Sequence, residues 1–281
     1  MFFCSNIEID CRMELFRNDN FYELYKKHFY DVEYSEHVPD ITKKRTLDVM
    51  NIAINACDAW GNALDIGGGG GHYSIPLLHK FKKVVLVDMF PFEGHAYLKR
   101  NYPNFEYHHS LVEDVMFHEK FDYILLSDIY EHINDIDTFV RKIASLQEKN
   151  GVVYILTPNQ LFCGPAEKSG IHQSLHKGGH FRHYLPHEII NLMKSSGYEL
   201  VYQSYEEGKS RQIIKRIIKG VSRRDKKMSI FSVYNYIVGP CVHILFKPAL
   251  FIVEYIIDTI EKNNKNNKEN TMAMVCIFKK L

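Results

Sequence analysis

Five consecutive glycines, 67–71, follow the apolar run Ala-Leu-Asp-Ile at 63–66 and lead into a segment of helical pattern. Where a strand passes through glycines into a helix, the backbone approaches a ligand with no Cβ in the way, and helix-start amides point at its polar groups. The segment therefore predicts a nucleotide or cofactor cradle. Spacing then chooses among cradles. A dinucleotide fingerprint needs glycines at positions 1, 3 and 6, and the sixth position from Gly67 is His72. A phosphate loop needs Gly-Lys-Ser/Thr, which does not follow. Asp65, Gly67, Gly69 and Gly71 instead spell Asp-x-Gly-x-Gly-x-Gly. An acid two residues ahead of the first glycine suits a ligand bearing an ammonium group rather than a pyrophosphate. Asp88 closes the next apolar run, Val-Val-Leu-Val-Asp, about twenty residues on, where a carboxylate accepts from both hydroxyls of a ribose. Alone, Asp88 is equally a turn aspartate; beside the loop it reads as a ligand group.

Two further groups carry chemistry. Asp128, Glu131 and His132 follow the run Tyr-Ile-Leu-Leu-Ser. On a helical turn the spacing i, i+3, i+4 gathers all three on one face, which suits a divalent metal. The plainer alternative makes Glu131-His132 a structural helix start. The long stretch 158–186 holds His172, His176, His180, Arg182 and His183. Loops of that length in a compact domain are usually functional or disordered. Either His180, Arg182 and His183 face a bound substrate, or Arg182 and Tyr184 pin the loop to a sheet.

Such groups need a scaffold. Short apolar runs at 63–66, 84–88, 105–110, 123–128 and 152–157 alternate with helix-length segments at 72–82, 93–101 and 135–149. Runs buried on both faces and separated by helices predict a parallel sheet in a doubly wound layer. Residues 185–198 add a helix stopped at Gly197, 199–206 a strand, and 271–278 a late strand. Ahead of the sheet, 12–38 reads as an aromatic helix and 40–59 as a second one. Open α/β sheets bind ligands outside the carboxyl ends of their strands, and the glycine loop and His132 follow such ends.

The Asp65–Gly71 motif, Asp88, the stretch FDYILLSDIYEHI at 121–133 and NGVVYILTPN at 150–159 together resemble the class I S-adenosylmethionine-dependent methyltransferases. The resemblance covers about 60–205 plus the last strand. It implies an α/β, Rossmann-like, seven-stranded methyltransferase sheet whose last strand is antiparallel. An N-terminal helical cap (1–40) would precede the methyltransferase domain (41–207 plus 271–281), with a helical insertion (208–270) before the last strand. The implied cofactor is S-adenosylmethionine. Carried over by resemblance, Asp65 and Gly67 lie along the methionine moiety, Gly69 lets the loop pass close, and Gly71 completes the cofactor-binding motif. Asp88 binds the ribose, Val112 and Glu113 flank the adenine, and Leu126 floors the sulfonium. Where the family commonly has Gly-Asp ahead of the adenine residues, this chain has Ser110-Leu111. Asp128, Glu131 and His132 look like the cluster of the ubiquinone-biosynthesis O-methyltransferases, which are metal-dependent, so a divalent metal is a further expectation. The segment GHFRHYLPHEI at 179–189 resembles one found in methyltransferases acting on sugars, lipids and quinones. Arg45 is placed to meet the methionine carboxylate.

The activity so implied is methyl transfer, most directly to a hydroxyl, on a small, sugar-containing or lipid-linked acceptor. The protein must exclude water, align the acceptor and take its proton, and histidine titrates near the working pH. His132 is the first candidate base, with His180, Arg182 and His183 on the acceptor side.

Residues 209–227 hold nine lysines and arginines against one aspartate, with Ile213, Ile214, Ile217, Ile218 and Val221 at helical spacing. That is a basic amphipathic helix. The apolar segment 230–260 is broken by Pro240, Lys247, Pro248 and Glu254 before it reaches the roughly eighteen to twenty residues of a span. A membrane-surface element and a helical lid or homodimer interface both stand as readings. Lys plus Arg number 35 against 34 Asp plus Glu, which disfavours a globally basic nucleic-acid binder. The six scattered cysteines form no C-x-x-C pair and the start lacks a signal-peptide pattern. The expectation is a cytoplasmic protein, free or membrane-peripheral. Two rivals remain: a dinucleotide-dependent oxidoreductase and a catalytically silent cofactor-binding or scaffold protein.

Overall fold

The computed structural model describes residues 49–71, 73–164, 180–208 and 271–281. The cap helix expected over 12–38, Arg45, His72, His172, His176 and the insertion 209–270 lie outside the described residues. In chain order the elements are α1 (49–55), β1 (Asn62–Ile66), α2 (Ser74–Leu78), β2 (Lys83–Asp88) and α3 (Glu93–Asn101). Then come β3 (Phe105–His109), β4 (Phe121–Ser127), a 3-10 turn (Tyr130–His132), α4 (Ile136–Leu146) and β5 (Gln147–Pro158). The chain finishes with α5 (Gln160–Cys163), α6 (Pro186–Ser195), β6 (Tyr198–Gly208) and β7 (Thr271–Lys280).

The strands form one seven-stranded sheet in the order β3-β2-β1-β4-β5-β7-β6. Strands β1 to β5 pair in parallel, and β7 runs antiparallel between β5 and β6. This is the expected seven-stranded methyltransferase sheet. The apolar runs account for it, because strands covered on both faces need hydrophobic side chains at every position. On one face Leu64, Val85, Ile124 and Ile155 pack under Phe139 and Ile143 of α4 and Ile189 and Met193 of α6. On the other, Ala63, Leu86, Leu125 and Tyr154 pack under Met50 and Ile54 of α1, Leu77 of α2 and Leu98 of α3. Each fully buried aliphatic side chain contributes about 1.5–3 kcal/mol relative to exposure, so the sheet is a rigid platform.

Local signals fix the joints. Asp122, the second residue of β4, accepts from the amides of Gly61 and Asn62 at 2.8 and 2.9 Å and so sets the start of β1. Asp135 caps α4 by accepting from the Thr138 amide at 3.1 Å. Two helices are shorter than the pattern predicts. The segment 72–82 is helical only over Ser74–Leu78. The segment 135–149 stops at Leu146, because the chain folds back tightly into β5. There Asn150 has φ 62, and a Cβ on Gly151 would lie 2.7 Å from Gln147 Cγ. Among the described residues no helix is long and apolar enough to cross a membrane.

Candidate functional site

The glycine loop leaves β1 at the carboxyl edge of the sheet. Gly67, Gly69 and Gly71 have φ of 69, 52 and 83, the left-handed region that glycine enters without strain. At two of them space is also closed, since a Cβ would lie 2.8 Å from Ile129 Cδ1 at Gly67 and 2.4 Å from Leu98 Cδ1 at Gly71. Gly69 differs: among the described residues, a Cβ there would meet nothing nearer than Phe92 Cζ at 4.0 Å. The loop thus presses on the protein at its ends and opens at its middle.

Two buried acids hold this loop. Asp88 accepts from the Gly69 amide and from the Phe90 amide, each at 2.8 Å. Burial pushes its carboxyl up to about 6, against the pull of those two amides. Asp65, 1% exposed, accepts from Ser74 Oγ at 2.6 Å. Burial pushes it up to about 7, the Ser74 hydrogen bond opposing and the Asp88 charge adding. Two desolvated carboxylates beside an open glycine loop favour a ligand that brings positive charge or hydroxyl donors.

The second half of the site lies one strand over. Strands β1 and β4 are paired neighbours, Ile66 opposite Leu126, so their carboxyl ends open on one edge. Past β4 the chain makes the 3-10 turn Tyr130–His132. Glu131, 1% exposed, accepts from Thr157 Oγ1 at 3.0 Å, and its backbone carbonyl accepts from the Phe181 amide at 2.9 Å. That last bond ties the His132 turn to the returning arm of the long loop. The arm's end is fixed in turn by a bridge between Asn159 and Tyr184. As a result the His132 and His180 rings meet edge to face at 4.8 Å.

Hydrogen bonding sets the tautomers of the loop histidines. His183 Nδ1 lies 2.7 Å from the Gly164 carbonyl, which only accepts, so Nδ1 carries the proton. The Nε2 of neutral His183 then accepts from His180 Nδ1 at 2.8 Å. In neutral His180 the lone pair is left on Nε2. The relay Gly164–His183–His180 therefore places the proton of neutral His180 on Nδ1.

The remaining expected residues fall as follows. Val112 and Leu126 are buried in the core layer, and Glu113 is exposed. Arg182 pairs with Glu188 and lies 5.1 Å from the Tyr184 ring centroid, the pinning arrangement rather than the substrate-facing one. The expected metal trio needs correction. Asp128 is exposed with φ 53, and the turn begins only after it, so helical phase does not carry it onto the face of Glu131 and His132. Among the described residues, the set whose ligand atoms lie within 4.8 Å of one another is Glu131, His132 and His180. Burial, then the Asp128 charge, pushes the Glu131 carboxyl well above its usual range. Thr157 beside Glu131, Ser74 beside Asp65, and His95, whose Nε2 lies 2.6 Å from the Gly69 carbonyl, also touch these groups and were not foreseen. Ser74 stands one helical start after the loop; the other two have no local signature.

A methyltransferase-domain family model matches residues 33–203, more than half of the chain. Ubiquinone biosynthesis O-methyltransferase from Pelagibacter ubique is 36% identical over 100 residues, which cover 34% of this chain and 42% of that protein. The 1,6-didemethyltoxoflavin-N1-methyltransferase of Burkholderia thailandensis, solved with bound 1,6-didemethyltoxoflavin and S-adenosylhomocysteine, superposes with TM-score 0.57 at 11% identity, covering 96% of this chain and 88% of that one. N-methyltransferase NodS from Bradyrhizobium japonicum, solved with S-adenosylhomocysteine, gives TM-score 0.54 at 11% identity over 92% of this chain and 97% of that one. The dinucleotide-oxidoreductase alternative finds no support in this company. With the Asp-x-Gly-x-Gly-x-Gly loop, the antiparallel last strand and the family match in agreement, the chain belongs to the methyltransferase-domain family, the class I S-adenosylmethionine-dependent methyltransferases.

Proposed function

We propose that the protein transfers the methyl group of S-adenosylmethionine to a hydroxyl of a small, sugar-containing or lipid-linked acceptor, with the His132–His180 pair as the seat of the base. One observation carries this reading. Gly67 lies hard against Ile129, the residue before the Tyr130–His132 turn, so the donor loop and the His132 turn are immediate neighbours.

The residues present fit the donor. Gly69 leaves space above the loop, and Asp65 and Asp88 offer desolvated carboxylates on its inner side. When bound, S-adenosylmethionine supplies a methyl group already activated by its sulfonium. The chain's own residues supply the rest. Asp88 has two of its roughly four lone-pair sites engaged by amides and offers the others to ribose hydroxyls. Asp65 favours the ammonium end. Alignment of an acceptor between the loop and the turn would remove an entropic barrier that can reach about 7–11 kcal/mol. His180 takes the acceptor's proton at Nε2, its Nδ1–H held by His183, while His132 stands beside it. Glu131 holds the two histidine-bearing segments together through its carbonyl.

Oxygen as the methyl acceptor is supported by a base in place and by the name of the Pelagibacter relative. The Burkholderia and Bradyrhizobium enzymes are named N-methyltransferases, so the fold alone leaves the accepting atom open. A second reading has its own observation: Glu131, His132 and His180 together suit a divalent cation, which would act as a Lewis acid on the acceptor oxygen. Loss of turnover with a chelator, restored by magnesium, separates it from the metal-free reading.

The deciding experiment incubates the protein with methyl-labelled S-adenosylmethionine and a whole-cell extract, then splits the extract into lipid and aqueous phases. Label in the lipid phase supports a lipid-linked acceptor and a membrane-surface role for 209–260, to be checked by flotation with anionic vesicles. Label in the aqueous phase supports a small or sugar-containing one. Label in neither, with S-adenosylhomocysteine still raising the melting temperature, leaves a silent cofactor binder and sinks the reading.

A further inference from the structure

His95 is 1% exposed and stands on α3, on the donor side of the site. Its Nε2 lies 2.6 Å from the Gly69 carbonyl and its Nδ1 lies 3.1 Å from His109 Nε2. The rings of Phe92 and Tyr107 flank it at 5.4 and 5.2 Å. His109 is itself the register partner of Asp88, across the β2–β3 pairing. We propose that His95 is a positioning residue for the methyl donor, holding the Gly69 carbonyl so that the open middle of the glycine loop keeps the shape that receives the adenosyl group.

The chemistry runs from the carbonyl outward. A carbonyl only accepts, so His95 carries its proton on Nε2. Its Nδ1 is then the acceptor for His109 Nε2–H. Burial and the nearby His109 both lower the His95 pKa, in keeping with a neutral ring. Gly69 is thereby held on both sides. Its amide donates to Asp88 and its carbonyl accepts from His95, two groups that both lie outside the loop. A glycine at φ 52 with open space beside it has no side chain to resist a peptide flip. A flip of the Gly69–Gly70 peptide would swing the Gly69 carbonyl off His95 and redirect the loop just past the amide that Asp88 holds. His95 is the group that opposes that flip from the carbonyl side. The Phe92 ring, packed on His95, is also the nearest group among the described residues to the open face of Gly69.

The inference rests on the methyl-donor reading, and its test separates the two. S-adenosylhomocysteine binding is measured by calorimetry for the wild type, His95→Leu and His95→Gln. Leucine keeps bulk and removes the donor; glutamine puts an amide N–H near the position of Nε2. His95→Leu is expected to raise Kd about tenfold, the size of one lost hydrogen bond, and His95→Gln to stay within about threefold of wild type. Equal weakening in both variants reduces His95 to packing and overturns the proposal, as does unchanged binding by His95→Leu. Wild type that binds no S-adenosylhomocysteine takes the donor reading down with it. Should the variants fold poorly, nitrogen-15 NMR of the wild-type histidines gives an independent answer. A neutral Nε2–H tautomer for His95 supports the clamp, and an Nδ1–H tautomer overturns it.

Discussion

The proposed donor half and acceptor half of the site are built by different means. The donor half is mostly backbone. Gly67, Gly69 and Gly71 adopt positive φ that glycine enters at low cost, Gly67 and Gly71 also lack room for a Cβ, and Asp88 meets Gly69 19 residues later through a direct amide contact. The acceptor half is mostly side chains drawn from distant places. His132 meets His180, Thr157 meets Glu131, and the arm that carries His180 is moored through the Glu131 carbonyl. A backbone cradle suits a ligand shared by a whole family, because it reads shape and common polar groups. A side-chain cluster suits what differs between members. It follows that damage to the donor half should appear in cofactor affinity and damage to the acceptor half in turnover.

The largest expected effect tests that division directly. His180→Ala should lower kcat by about 10²- to 10⁴-fold, the usual share of a general base, while the calorimetric Kd for S-adenosylhomocysteine stays within twofold or so. An equal loss of cofactor affinity would erase the boundary between the halves. Next, Asp88→Ala should raise that Kd by about 100-fold or more, since hydrogen bonds to a charged group are worth about 1.5–3 kcal/mol each. Unchanged affinity in calorimetry would remove Asp88 from the cofactor site. Gly67→Ala should cost about 1–3 kcal/mol of stability in denaturant titration, because it combines positive φ with a Cβ placed 2.8 Å from Ile129.

A subtler effect is electrostatic. Asp65 and Asp88 have carboxyls pushed up to about 7 and about 6, so both become anionic as pH rises through that window. S-adenosylmethionine carries one more positive charge than S-adenosylhomocysteine. Its affinity advantage over the homocysteine product should therefore grow between about pH 5.5 and 7.5, and Asp65→Asn should flatten the trend. The same shifts have an opposite consequence for the ligand-free fold. A carboxyl whose folded pKa exceeds its unfolded value of about 3.9 stabilises most below that value, and the contribution is lost as pH rises through the folded pKa. The melting temperature without ligand should fall over that range unless other groups outweigh it, and the Asp65→Asn difference isolates the part due to Asp65. The smallest effect belongs to Arg182→Ala. An exposed pair with Glu188 is worth about 0–1 kcal/mol, so kcat should barely move if the arginine only pins the arm. A hundredfold loss of kcat would return Arg182 to the substrate.

Much of the donor half was legible because its determinants are short-range. The spacing Asp65–Gly67–Gly69–Gly71 and the run ending at Asp88 lie within one β-α-β unit, where periodicity and glycine placement speak for themselves. The strand runs were legible for a similar reason: a strand buried on both faces has to be apolar where it is covered, as β2 is over Val84–Val87 and β5 over Val152–Leu156. The limits of helices were less legible. The helix expected over 135–149 gave way at 147 to a fold-back that brings buried Gln147 under Tyr198, a contact across 51 residues. The metal trio failed through the same kind of omission, since the i, i+3, i+4 rule holds only within one continuous helix and Asp128 stands before the turn starts.

By itself the sequence determined the layered sheet, the identity of the glycine loop and the acid that meets it, since each depends on residue types at fixed local spacing. Only the tertiary structure decided that His180 joins His132 and that Glu131 goes under Thr157. It likewise decided that His183 sets the tautomer of His180 and that His95 reaches back to Gly69. These pairings span 26 to 48 residues, or arise inside an irregular loop. No periodic rule relates such positions; what joins them is where parallel strands end along a common edge.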